Sequence, residues 1–173
     1  MKPDSIGKVV QDDGIEYTYR SFFTSPFPYF EAMKPKQSLG FILNDLNELL
    51  MTSQDGEFWE LPGGTIEPNE LPRKTLVREV YEETAIEIDE DSITDFFYST
   101  VHKYIEGKEI FHALQLRFVA KVKRIDEFVN DPGGEHKFRK FIKPEEFSNT
   151  FGWGDENNFL QNKLINFINE SIL

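Results

Sequence analysis

Gly63-Gly64-Thr65-Ile66-Glu67-Pro68-Asn69-Glu70, followed by a helix-like run from Leu71 to Ile86, is the stretch that decides how this chain reads. Placed at about 100° per residue, Leu76, Val77, Val80 and Tyr81 share one side, while Glu79, Glu82 and Glu83 cluster on the other. The run therefore predicts a helix that buries one face and presents three carboxylates together. Glu79 stands three and four positions before Glu82 and Glu83, spacings at which like charges cost roughly 0.2–0.5 kcal/mol per pair. A cost that small is compatible with an ordinary solvated acidic face. A hard divalent cation would turn the same repulsion into ligation, because Mg2+ takes oxygen ligands from a few carboxylates, waters and substrate phosphates.

The flanks support one strand–turn–helix unit. Asn69 reads as the N-cap, Glu70 suits the positive end of the helix dipole, and Pro72 falls in the first turn, where a missing N–H loses no bond. Gly63-Gly64 lets the chain bend tightly out of a Phe58–Leu61 strand and leaves backbone carbonyls free to face the same cation. Gly64, Glu70, Arg78, Glu79, Glu82 and Glu83 thus stand in the pattern G-x5-E-x7-R-E-V-x-E-E-x-A-I. Six named residues at fixed places recur by chance in on the order of one in 10^7 windows.

Composition sets the frame around this unit. The 173 residues suit one domain with a respectable core, and 17 Phe within 39% hydrophobic content point to a packed globule. No apolar run is long enough to span a bilayer, and Met1-Lys2-Pro3-Asp4 lacks the apolar core of a signal peptide. With no Cys there are no disulfides and no thiolate metal sites, so the expected compartment is the cytoplasm. The net charge is −12. Such an acidic chain disfavours nucleic-acid polymers and is compatible with a small phosphate substrate that arrives complexed to cations.

In chain order, Ile6–Val10 and Ile15–Phe23 flank Gln11-Asp12-Asp13-Gly14 and predict a hairpin. Thr24–Lys36 is a proline-rich connector whose Phe27, Tyr29 and Phe30 suggest packing against the core. Leu39–Leu43 and Glu48–Thr52 bracket a second hairpin turn. Phe58 and Trp59, just before the glycine bend, suit either base stacking or the core. Glu87–Asp95 reads as an acidic loop or short strand, and Phe96–Ile105 and Glu109–Lys123 as paired strands. On the second of these, alternation puts Arg117 and Lys121 on the non-core face. Arg117 is there either as a phosphate fork or as a solvent-facing arginine. His102, His112 and His136 show no metal-ligand spacing. Asp131-Pro132-Gly133-Gly134 is a turn, followed by Glu135 and a strand over Lys137–Ile142. A short helix opens at Pro144, and Asp155 caps a last amphipathic helix.

The 64–86 pattern resembles the signature of the Nudix hydrolases, with Ala85 where the usual Gly stands. A negative φ is expected for that Ala, shifting the helix exit slightly. The resemblance implies an α/β/α sandwich with a mixed β-sheet, formed by residues 36–173, with 1–35 as an amino-terminal extension of one domain. It implies hydrolysis of a nucleoside diphosphate linked to another group, using Mg2+ or Mn2+. Glu79, Glu82 and Glu83 would bind metal, the Gly63 carbonyl would add a ligand, Arg78 would hold the carboxylates, and Glu70 would be a structural partner. Glu79 and Glu135 compete as general base. A nucleoside triphosphate, plain or modified, is the leading substrate. Nucleotide sugars and ADP-ribose follow, although no Pro lies between Pro72 and Pro132 where ADP-ribose hydrolases often carry one. Tyr104 stands where some dinucleoside polyphosphate hydrolases have a Tyr. A nucleotide-sensing module without catalysis would be expected to lose a signature glutamate, and none is lost. Isoprenoid diphosphate isomerisation lacks its cysteine. The expected partner is a small nucleotide, with no membrane, and the chain is a monomer or homodimer.

Overall fold

The computed structural model describes residues 1–11, 13–28, 34–128, 136–151 and 157–171. Its strands are β1 (Ser5–Val10), β2 (Glu16–Phe23), β3 (Pro35–Leu43), β4 (Leu49–Ser53), β5 (Gly63–Thr65), β6 (Ile86–Ile105), β7 (Lys108–Ile125) and β8 (Phe138–Ile142). The helices are α1 (Pro72–Thr84), α2 (Phe147–Thr150, entered through a 3-10 turn at Pro144–Glu146) and α3 (Asn157–Ser171). All eight strands share one sheet in the order β1-β2-β6-β7-β3-β4-β8, with β5 paired to β3. The β3–β7 pairing is parallel and the others are antiparallel, so the sheet is mixed.

Period-two alternation sorts the central strands between two layers. Phe41, Leu43, Leu49 and Met51 face Phe147, Leu160, Leu164 and Ile168 of α2 and α3. Ile42 and Leu50 face Leu76 and Val80 of α1, together with Leu116 and Phe118. A strand covered on both faces reads as a continuous apolar run, as 41–43 and 49–51 do. Each such side chain, fully buried, contributes roughly 1.5–3 kcal/mol. The architecture is the α/β/α sandwich with a mixed sheet.

Several local expectations are corrected. β6 starts at Ile86 rather than Phe96, because Ile86, Ile88 and Ile93 are buried while Glu90 and Asp91 between them stay exposed. The acids of 87–91 are the solvent side of a strand whose register shifts between Asp89 and Thr94. No strand forms over Phe58–Leu61: only single bridges, Trp59 to Phe151 and Glu60 to Thr52, occur there. The preceding loop is held by Asp55, whose carboxylate accepts the Glu57 and Phe58 N–H groups. β7 has no solvent face over 113–120, so Arg117 is buried and not solvent-facing. Tyr81, expected on the buried side of α1, is exposed.

The ends of α1 also differ. Asn69 has φ +68°, outside the extended conformation of an N-cap, and Leu71 fills that position without a side-chain cap. Ala85 adopts the left-handed conformation, φ +50°, that the usual Gly would supply, so the exit is unchanged and the strain falls on Ala85. Arg139 covers this end, donating to the carbonyls of Thr84 and Asp126. Its positive charge there complements the helix dipole.

The first hairpin joins the sheet through β2, which pairs with β6 from Glu16↔Tyr104 to Phe23↔Phe97. In the connector, Phe27 packs edge-on to Tyr98 and Phe118. Tyr29, Phe30, the 131–134 turn and the Asp155 cap lie outside the described residues. No helix among the described residues is long and apolar enough to cross a membrane.

Candidate active site

The twin glycines are required by their neighbours. Gly63 has φ +136°, and a Cβ there would lie 2.3 Å from the Ser38 carbonyl oxygen and 2.6 Å from Leu39 Cα. A Cβ on Gly64 would lie 2.6 Å from the Glu79 carboxyl carbon. One glycine thus lets β5 close on β3, and the other opens the space that the Glu79 carboxylate occupies. The Gly63 N–H donates to Glu83 Oε2 at 3.0 Å, which ties the bend to α1 one turn beyond Glu79.

Arg78 is the hub of the helix face. Its Nε and Nη2 donate to Glu70 Oε1 and Oε2, each at 2.9 Å, a two-pronged fork. Its Nη1 reaches Glu79 Oε1 at 2.9 Å and Glu82 Oε2 at 3.0 Å. Glu70 also accepts from Thr75 Oγ1 and the Glu67 N–H. The Arg78 bonds first, with those from Thr75 and Glu67, pull the Glu70 carboxyl down to about 2. Glu70 therefore serves the helix start not as a dipole partner alone but as the anchor of Arg78.

Burial dominates the two inner carboxylates. Desolvation pushes Glu79 upward, against the pull of Arg78, with Glu82 and Glu70 adding repulsion. Glu83, 8% exposed, is pushed up to about 8 by burial, against the opposing effects of His136 and the Gly63 N–H. His136, also buried, stands with Nδ1 3.6 Å from Glu83 Oε1 and Nε2 3.4 Å from Glu60 Oε1. Desolvated carboxyls held side by side are unfavourable as anions unless a cation joins them.

These groups open into a cavity of about 590 Å³ lined by Gly63, Gly64, Thr65, Glu79, Glu83, Glu60 and His136, with Gln37, Gln115, Lys36 and His112 farther along. Of the residues singled out in the sequence, Glu79, Glu83 and Gly63 meet in this cavity. Glu82 is turned toward Arg78, with 41% of its side chain exposed, and is not in the cavity wall. Trp59 and the exposed Phe58 line an adjoining cavity instead. Arg117 lies beneath the sheet, over the Phe97 ring and donating to Gln115 Oε1, and lines a separate small internal space. That burial keeps it out of the wall of the main cavity. Tyr104 is exposed at the β6–β7 tip and does not line the cavity. Glu135 lies outside the described residues.

Glu60, His136, Lys36 and the glutamines were not marked by any motif, because pairing between distant strands brings them together. Among the described residues, no three His, Asp or Glu side chains already surround a common point. The donor set nevertheless fits a hard cation. It is all oxygen on the helix side, desolvated, mutually repulsive and partly neutralised by Arg78, and Gly64 keeps open a space that any side chain would fill.

The fold has counterparts among solved structures. The chain superposes on the Bacillus subtilis pyrophosphohydrolase BsRppH with a TM-score of 0.64 over 92% of this chain and 95% of that one, at 19% identity. It matches a C. elegans Ap4A hydrolase with a TM-score of 0.52 over 79% and 98%, at 20% identity. Likeness at these identities is likeness of fold. In sequence, it is 43% identical over 54 residues to a dihydroneopterin triphosphate diphosphatase of Haemophilus influenzae, covering 30% of this chain and 34% of that protein. It is 42% identical over 45 residues to an 8-oxo-dGTP diphosphatase of Proteus vulgaris, covering 26% and 40%. The matched segments span between a third and two fifths of those relatives' length. The NUDIX domain family model matches residues 33–162, and the chain belongs to the Nudix family.

Proposed function

We propose that this protein is a divalent-metal-dependent pyrophosphohydrolase. Its substrate is a nucleoside diphosphate linked to another group, foremost a plain or modified nucleoside triphosphate, cleaved to the monophosphate and pyrophosphate. The observation that carries the reading is the meeting of Glu79 and Glu83 with the Gly63-Gly64 backbone in one cavity large enough for a nucleotide. The family membership and the named activities of the relatives support it.

Glu79, Glu83 and Glu82, with the Gly63 carbonyl, would hold Mg2+ or Mn2+. When bound, such a cation neutralises phosphate oxygens and lowers the pKa of attacking water. The chain's own residues do the rest. Arg78, locked by Glu70, keeps the Glu79 and Glu82 carboxylates on one helix face and balances part of their charge. His136 stands 3.6 Å from the Glu83 carboxylate and opposes the effect of its burial. Glu79, lifted by burial, would take a proton from water in the cavity. Glu135 remains the competing base from the later loop. In-line attack on a phosphoanhydride needs mainly positioning and charge stabilisation, which this rigid strand–turn–helix unit supplies. A cytoplasmic setting accords with the cysteine-free composition.

Glu79→Gln and Glu82→Gln test the assignment. Each is expected to remove most Mg2+-dependent turnover, by about 100-fold or more for Glu79→Gln, as loss of a charged catalytic group does. The thermal midpoint should be retained. The assay is a panel of nucleoside triphosphates, nucleotide sugars, ADP-ribose and dinucleoside polyphosphates, read for released phosphate with and without added phosphatase. Wild-type rates in both variants would refute the reading.

A further inference from the structure

The family match begins at residue 33, so the β1–β2 hairpin lies outside it. Yet the hairpin is part of the cleft. Gln11, Tyr17 and Tyr19 line the main cavity alongside Glu79 and Glu83. Gln11 Nε2 donates to the Tyr19 hydroxyl at 3.2 Å, and this pair, with Glu60, borders both the main cavity and a second chamber of about 480 Å³.

The second chamber has a different chemistry from the first. Val9 of the hairpin lines one side, with the backbone of Val10 beside it, and Phe58 and Trp59 line the chamber too. The Trp59 indole is a fixed platform, since its Nε1 donates to the Gly56 carbonyl and the Lys140 ammonium sits 3.8 Å from the ring centroid. The polar groups around these walls include the acceptors Asp13, Glu57 and Glu60, and no Lys or Arg lines the chamber among the described residues. Lys36 and His112 line the main cavity only. Apolar walls ringed by carboxylates repel phosphate and suit a flat ring with N–H groups to donate. A polyphosphate chain belongs in the main cavity, beside Lys36 and, on the proposed function, the divalent cation.

We propose that the amino-terminal hairpin makes this protein's specificity chamber. Val9, with Phe58 and Trp59, takes a nitrogen heterocycle bearing ring N–H or amino donors, and the Gln11–Tyr19 pair marks the junction with the phosphate cavity. This deepens the pyrophosphohydrolase reading and rests on it for the orientation of the phosphates.

Calorimetric binding of GMP and of ribose 5-phosphate in the presence of Mg2+ tests the chamber without turnover. Wild type is expected to bind GMP about tenfold or more tightly than ribose 5-phosphate, the size of one base-stacking contact. Phe58 is largely exposed, so Phe58→Ala should leave the thermal midpoint in place while reducing that preference to about threefold or less. With GTP as substrate, Phe58→Ala and Gln11→Ala should each raise KM by a larger factor than they lower kcat. Equal binding of the two probes by wild type, or an unchanged preference in Phe58→Ala, overturns the chamber. Turnover without base preference would overturn the chamber and keep the hydrolase. Base preference without turnover on any panel substrate would keep the chamber and remove the hydrolase.

Discussion

Arg78 makes four carboxylate contacts at once, two of them to Glu70, and that fork sets the geometry of Glu79 and Glu82 on α1. Glu70 is held at about 2 in the fold, against 4.5 for the free side chain. A carboxyl with a depressed pKa stabilises the fold fully above its unfolded value and loses that contribution as pH falls through the folded value. Glu70→Gln should therefore lower the thermal midpoint by a constant amount above about pH 5, the deficit shrinking as pH falls from there toward 2. Parallel melts of the two proteins across that range check it, and a deficit independent of pH would show that the fork does not carry the stability. Ala85 offers a second residue-scale test. Its left-handed conformation costs an Ala roughly 1 kcal/mol, which a Gly escapes. Ala85→Gly should raise the thermal midpoint by about 2–4 °C and leave turnover alone, since the residue touches no cavity group.

The glycine bend and α1 act as one element, and the two glycines should fail differently. At Gly63 an added Cβ meets backbone atoms of β3 in a conformation closed to L side chains, so Gly63→Ala should cost on the order of 2–4 kcal/mol of stability. At Gly64 it meets only the end of the Glu79 side chain, which can swing aside. Gly64→Ala should keep the fold but displace the carboxylate, lowering turnover by about 100-fold. Denaturant melts and rates on the two variants separate these outcomes. This element was also the most legible in the sequence, because it is local: fixed spacing in 63–86 places Glu79, Glu83 and Gly63 without any knowledge of the sheet. What escaped was non-local. His136 and Glu60 flank Glu83 only because β8 pairs with β4 and a bridge joins Thr52 to Glu60. Arg117 read as outward by alternation, since nothing within its own strand tells of α3 covering the second face of the sheet. Glu87–Asp95 read as an acidic loop or short strand, and its place in one long strand escaped because its charges outnumber the isoleucines that bury it. Asn69 had the residue type of a cap, yet its backbone bends the wrong way.

At the scale of the whole molecule, the cation and the fold should be thermodynamically linked on the proposed chemistry. A ligand that binds only the folded chain adds RT ln(1 + [L]/Kd), about 2.7 kcal/mol at 100 times Kd. Saturating Mg2+ should then raise the thermal midpoint by about 5–10 °C, a chelator should reverse the rise and abolish turnover, and Glu79→Gln should blunt both effects. An Mg2+-insensitive midpoint with chelator-resistant turnover would exclude that linkage. The parallel seam at the centre of the sheet has a consequence of another kind. It joins Leu39 to Arg117 and Leu43 to Lys121, so each half of the seam is useless until the other has been made. Pairings of such long separation form slowly, because loop closure must precede any reward. During synthesis, β3, β4 and α1 leave the ribosome well before β7 exists to receive them. The nascent chain must therefore carry its acidic helix and the open edge of β3 uncovered until about residue 121 has emerged, which makes that interval the period in which this protein most depends on its surroundings to stay unaggregated.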